Sequence, residues 1–210
     1  MKIPLTLVAT LVASTAFAEN DTSFFEQKLP APTGAFEIAL SSGFSKGSGR
    51  LERGVEVDGT GNTLELEVAY RLSPRMSIGW YGTFTDFHDS DTLGLSTGLQ
   101  TRWHLRPFRA FDPWISAGGG LHAHIIEREM DDGDLAYLGF DLVRLQVGAD
   151  FRFSPRLAVS PVIGMDVTTF VRTVDEWDYD QRIADKRLSV FFFAGLGGRF
   201  DFGGADVQPR

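Results

Sequence analysis

Large apolar side chains recur at every second position through eight separate stretches between Ala35 and Phe202. A period of two puts successive side chains on opposite faces of an extended chain, so each stretch predicts a strand with one apolar and one polar face. In "AFEIALSSGF", Phe36, Ile38, Leu40 and Phe44 alternate with Glu37, Ala39, Ser41 and Gly43. In "TLELEVAYRL", Leu64, Leu66, Val68, Tyr70 and Leu72 oppose Glu65, Glu67, Ala69 and Arg71. The pattern returns in "MSIGWYGTF", "LGLSTGLQTRWHL", "ISAGGGLHAHI", "VRLQVGADFRF", "LAVSPVIGMDVTTFV" and "LSVFFFAGLGGRFDF". Along these, the polar face collects Arg102, Arg144, Asp150, Arg152, Asp166, Arg199 and Asp201. In the last stretch Phe192 falls on the apolar face, and Phe191 and Phe193 on the polar one.

The links between stretches alternate in character. "RLSPRMSI", "RPFRAFDP" and "RFSPRLAV" carry proline, which initiates turns and cannot sit in mid-ladder. "SKGSGRLERGVEVDGTGN", "DFHDSDT", "EREMDDGDLAYLG" and "DEWDYDQRIADKR" are polar and acidic. Chain direction reverses at every link, so the proline turns gather at one end of the strands and the acidic loops at the other.

Period alone leaves open whether the apolar face meets a protein core, as in a soluble barrel or sandwich, or lipid. Composition favours lipid. The four lysines, Lys2, Lys28, Lys46 and Lys186, all fall outside the strand stretches, whereas a water-facing sheet uses lysine freely. The basic residues within the stretches are arginines, including Arg172, mixed with carboxylates and glycines. That mixture suits an enclosed polar network in which planar guanidiniums pair with carboxylates. Aromatics mark both ends of the apolar faces: Tyr70, Trp103, Phe151, Phe153, Phe200 and Phe202 at the turn end, Phe44, Phe84 and Phe87 at the loop end. Strands of about 9–11 residues fit a tilted bilayer crossing, and aromatic girdles belong at its two interfaces. The expected fold is all-β, an eight-stranded antiparallel up-and-down transmembrane β-barrel over residues 35–202. At eight strands side chains fill the interior.

Residues 1–18, "MKIPLTLVATLVASTAFA", have the basic start, apolar run and A-x-A ending of a secretory signal peptide. Residues 19–34 are expected to be a periplasmic lead-in and 203–210 a short tail. The absence of cysteine removes disulfides and thiolate metal sites. A pI near 5.0 excludes a nucleic-acid footprint, which needs a clustered basic surface.

With these features the chain resembles the small eight-stranded outer-membrane β-barrels of Gram-negative bacteria, the OmpA-barrel, OmpX and OmpW-like superfamily. The most specific element is the closing "GLGGRFDF", where Gly197, Phe200 and Phe202 match the C-terminal assembly signal of that superfamily. The resemblance implies residence in the outer membrane, contact with its lipid, and recognition by the barrel-assembly machinery. The chain departs from the pattern by continuing with "GGADVQPR" after the final aromatic.

Three groups of residues are candidates for chemistry. The inward charges Glu37, Glu65, Glu67, Arg71, Arg102, Arg144, Asp150, Arg152, Asp166, Arg199 and Asp201 form either a satisfied polar plug or a narrow ion path, and burial of charge favours the paired plug. His122 and His124 share the inward face and could ligate a metal or act as a base. A lipid-modifying role would need a serine at fixed spacing from the histidine, and the pair is read as having no H-x-S motif and no G-x-S-x-G elbow with it, so no metal, cofactor or enzymatic activity is expected. The acidic stretches "DDGD" (131–134) and "DEWDYD" (175–180) lack the spacing of a calcium loop and read as surface loops. Trp177 and Tyr179 among them would suit an extracellular ligand. The expected role is structural or surface interaction. A passive channel is the alternative, with Phe170, Phe191 and Phe193 at its mouth, and a lipid-modifying enzyme comes third.

Overall fold

The computed structural model describes residues 24–52, 55–88, 90, 92–126, 134–175 and 180–207. A 3-10 turn at Phe24–Glu26 precedes nine strands: β1 (Thr33–Glu52), β2 (Val55–Ser73), β3 (Met76–Phe87), β4 (Thr92–His104), β5 (Phe111–Ile126), β6 (Leu135–Ser154), β7 (Leu157–Asp175), β8 (Asp180–Arg182) and β9 (Leu188–Ala205). Successive long strands from β1 to β7 pair antiparallel, and β9 pairs with both β7 and β1, so eight strands close into a ring. The three-residue β8 pairs with β7 beyond the point where β9 leaves it. Closure leaves no open edge along the turn-side length of the sheet, which lipid requires.

The closing seam runs in one unbroken register from Thr33↔Ala205 to Ser48↔Val190. Gly43 lets β1 and β9 approach there, since a Cβ on it would lie 2.1 Å from the Ala194 carbonyl oxygen. On the outside of the seam Phe36 stacks on Phe202 at 5.7 Å and meets Tyr70 edge-on at 5.2 Å.

The alternation resolves as lipid-facing outside and polar inside. Leu40, Leu66, Leu99, Ile115, Leu145, Ile163 and Leu196 are exposed, while Glu37, Glu65, Arg71, Arg102, Arg144, Arg152 and Asp201 are buried.

Four expectations are corrected, on strand length, on the loops, on Phe87 and on Arg172. The strands are longer than 9–11 residues; β1 and β6 each have 20. The segments read as loops around Gly47, Val57 and Tyr137 are paired ribbon, carrying the barrel past the bilayer on the loop side. Lys46 therefore lies within β1, exposed in that extension. Phe87, expected on the apolar face, shares the inward parity of Tyr81 and Thr85 and is buried. Arg172, expected inside, is exposed. A register shift pairs Leu138 with Arg172 but Gly139 with Phe170, so Val171 is an extra residue and Arg172 is turned to the outside face of Leu138.

Residues 24–31 dock along the β4–β5 turn. Leu29 N–H donates to the Phe108 carbonyl at 3.1 Å, and Ala110 N–H to that of Gln27 at 2.9 Å. Glu26 pairs with Arg106 and Arg109, and Phe25 packs edge-on against Phe111.

Candidate functional site: the lumen and its rim

All eleven charged residues expected inside lie on the inward face, and the barrel brings them into three layers. The layer nearest the proline turns centres on Asp150, which accepts hydrogen bonds from Arg199 (2.6 Å), Arg152 (3.2 Å), Trp114 Nε1 (2.9 Å) and Ser160 (2.7 Å). Arg152 also donates to Asp201 at 2.8 Å, and Arg71 donates to Glu37 at 2.5 Å. Six different strands, β1, β2, β5, β6, β7 and β9, supply these groups. Such pairing offsets the several kcal/mol that each buried ion costs.

The middle layer follows. Arg102 donates to Glu67 and lies 4.1 Å over the Trp114 ring. Arg144 bridges Glu65 (2.5 Å) and Asp166 (2.7 Å), and stacks 4.1 Å over Tyr81. Gln146 donates to Glu65 at 3.1 Å. Two enclosed voids of about 20 and 30 Å³ adjoin this layer. Each has room for a water or two.

Above it, Asp141 takes His122 Nδ1 at 3.0 Å and the Thr168 hydroxyl at 2.5 Å, and a hydroxyl row joins Ser45, Thr63 and Thr85. Polarity then stops. Leu51, Val57, Phe87, Leu135, Tyr137, Phe170, Ile183 and Phe191 form an apolar cluster across the loop end. His122 stacks on Phe191 at 4.6 Å, and His124 lies 5.6 Å from the Phe87 ring. Phe170 and Phe191, expected at a channel mouth, are the middle of this packed cap; Phe193 lines the void beneath it.

The sequence reasoning missed Trp114, Tyr81, His104, Asp112 and Asp141. Asp112 was assigned to a turn, yet β5 begins at Phe111 and places it opposite Asp150. His104 Nδ1 lies 2.8 Å from Asp112, which also accepts the Arg106 N–H. Ligand atoms of His104, Asp112 and Asp150 lie within 4.8 Å of one another. Asp150 is already committed to two guanidiniums, so this group fits an ion-pair network better than a metal site.

A further missed signal is "GLSTG" at Gly94–Gly98, a G-x-S-x-G spacing. His88-Asp89-Ser90 likewise has H-x-S spacing. Ser96 lies opposite His122, whose Nδ1 is held by Asp141, and this gives the order of a serine triad. The elbow of a hydrolase needs a strained strand-to-helix turn. Ser96 instead sits in mid-strand, 2.5 Å from Thr83 Oγ1, buried beneath the apolar cap.

Gly197, Phe200 and Phe202 occupy β9 as the seam requires. Gly197 faces Ser41 inside, and the two phenylalanines are exposed outside against Ile38 and Phe36. The strand continues through Ala205, with left-handed Gly203 and Gly204 (φ 71° and 73°). Residues 1–18, 131–133 and 176–179, including Trp177 and Tyr179, lie outside the described residues.

A closed ring with ion pairs inside and leucine, isoleucine and phenylalanine outside is inverted relative to a water-soluble domain; it is a transmembrane β-barrel. The fold is that of the small outer-membrane barrels, whose apolar belt is the surface buried in the outer membrane. Neisserial surface protein A superposes with a TM-score of 0.58 at 13% identity, over 80% of this chain and 97% of that one. The N-terminal β-barrel domain of Pseudomonas aeruginosa OprF gives 0.49 at 15% identity over 81% and 99%. Ail of Yersinia pestis gives 0.46 at 15% over 80% and 99%. No protein-family model matches the sequence, and no curated protein does.

Proposed function

We propose that this barrel is a closed scaffold in the outer membrane, with no catalytic role, that works at the cell surface through its acidic loop end. The observation that carries the reading is the stacking of two different seals along one lumen. The lower is a cross-strand ion-pair network in which Asp150, Glu65 and Arg144 each bind several partners. The upper is the dry cluster around Phe170 and Phe191. An ion entering from either end meets paired charges or hydrocarbon, and both oppose passage. The barrel-assembly machinery, reading Gly197, Phe200 and Phe202, is the expected partner in biogenesis. An extracellular ligand of the loops is the expected partner in use. In planar bilayers the purified, heat-modifiable barrel is expected to give no steady conductance. Ohmic steps that shrink when Arg144 or Glu67 is neutralised would establish the channel reading instead.

A further inference from the structure

The two ends of the barrel differ in charge, and the closed-scaffold reading uses only the loop end. The turns at 74–75, 105–110 and 155–156 carry Arg75, Arg106, Arg109 and Arg156 and no aspartate or glutamate. Glu26 and Asp206 are the acidic side chains described at this end outside the lumen. In the ring of eight strands the β2–β3 turn lies opposite the β6–β7 turn, the β4–β5 turn lies between them, and the β9–β1 seam fills the fourth quarter. Short turns of an outer-membrane barrel face the periplasm.

Two of the turns, "RLSPRM" and "RFSPRL", are built alike. From the lumen, Arg71 Nη1 donates to the Pro74 carbonyl at 3.2 Å and Arg152 Nη1 to that of Pro155 at 3.3 Å. From the next strand, His104 N–H donates to the Arg75 carbonyl at 2.9 Å and Asp201 N–H to that of Arg156 at 2.8 Å. Ser154 Oγ also accepts the Arg156 N–H at 3.2 Å. Each turn backbone is thus pinned from two sides. The side chains of Arg75 and Arg156 are exposed, and neither makes an ion pair among the described residues. A guanidinium carried on a fixed backbone has less freedom to lose when it binds.

The third turn shows what such arginines take. The Glu26 carboxylate lies 3.2 Å from Arg106 and 3.0 Å from Arg109. The chain that carries it is held by the Leu29 and Ala110 backbone bonds and by Phe25 against Phe111 at 5.2 Å. One turn therefore already seats an extended peptide through a carboxylate, and the other two offer the same planar donor with nothing on it.

We propose that the turn end is a docking surface for an acidic, extended peptide segment of a periplasmic partner, whose carboxylates bind Arg75 and Arg156 as Glu26 binds Arg106 and Arg109. The surface is independent of the loop end and of whether the lumen conducts.

The probe is a fluorescein-labelled peptide alternating glutamate and serine, titrated by anisotropy onto the folded full-length barrel in zwitterionic micelles. Wild type is expected to bind it and to release it at about 1 M salt, where screening acts within about 3 Å. The same peptide with glutamine for glutamate should not bind. Arg75→Gln with Arg156→Gln should weaken binding about tenfold, the size of two exposed ion pairs. Arg50→Gln with Arg187→Gln removes the same charge from exposed loop-side arginines and should bind as wild type does. The heat-induced gel shift confirms that each variant is folded. The surface is refuted if the two double variants bind the peptide alike. It is also refuted if glycerophosphoglycerol, the headgroup of an anionic phospholipid, displaces the peptide at concentrations where free glutamate does not, because the arginines then belong to lipid headgroups.

Discussion

The turn-side and loop-side halves of the lumen are built from the same eight strands and solve opposite problems. The turn-side half lies at membrane depth with hydrocarbon outside, so its inward face can be charged, and Asp150, Arg152, Arg199 and Glu37 are buried there. The loop-side extension stands in water. Its inward face is apolar, with Leu51, Val57, Tyr137 and Phe170 packed as in a soluble core. The surroundings of the wall invert along the barrel axis, and the filling inverts with them. What holds the protein together therefore changes from ion pairing to dispersion and water exclusion between Asp141 and Phe170.

The sharpest way to break the turn-side half is Asp150→Ala. It strands Arg152 and Arg199 and removes the acceptor for Trp114 and Ser160. Losing one partner of a buried network costs about 3–5 kcal/mol, so urea unfolding in micelles should show the largest loss of any single substitution here. On the loop side, Phe170→Ala opens a cavity in the cap and is expected to cost about 3 kcal/mol, the lower end for this change because the rim can relax. Phe191 and Phe192 then give an internal control one residue apart. Phe191 is 7% exposed in the cap, while Phe192 is 49% exposed on the lipid side. Lipid chains refill the space left by Phe192→Ala, so that change should cost at most about 1 kcal/mol, against roughly the Phe170 value for Phe191→Ala. Equal costs for the two would mean that the triple phenylalanine is not split between lipid and core.

The division of faces was legible from parity wherever a strand runs unbroken. Glu65, Glu67, Arg71 and Arg102 fall inside, and Leu64, Leu66 and Val68 outside, as the alternation requires. Parity failed at bulges. β6 holds an extra residue near Leu142, so Asp141 and Arg144 both face inward although they are three apart. β7 holds one at Val171, which put Arg172 on the wrong side. Neither bulge has a residue signature of its own; each is set by the partner strand, Gly118–Gly120 in the case of β6. The turn-like "RPFRAFDP" hid Asp112 because Pro113 was read as a breaker, although proline is tolerated near a strand's start. The cap was legible only in part. Phe170 and Phe191 fall on the inward face near the loop end by parity, but Leu51, Val57, Leu135, Tyr137 and Ile183 come from loop-side segments whose pairing, not their composition, makes them a core.

The smallest expected effect tests why the turn-side half is charged at all. Glu37 and Arg71 are fully buried and bond directly across β1 and β2. Arg71→Met alone should cost about 3–5 kcal/mol, because it leaves Glu37 uncompensated, whereas Arg71→Met with Glu37→Leu should come back close to wild type. A coupling energy of that size with almost no net change would mean that the pair adds little stability to the folded barrel. Its effect would then lie in the choice between faces. A strand whose two sides are both apolar has nothing to tell it which side meets lipid, and a slip of one residue exchanges them. The double variant should accordingly match wild type in urea but yield less folded barrel when refolded into lipid vesicles, read by the heat-induced gel shift. If folding yield is also unchanged, the polarity of the remaining inward residues is enough to set the face, and the Glu37–Arg71 pair is dispensable for both.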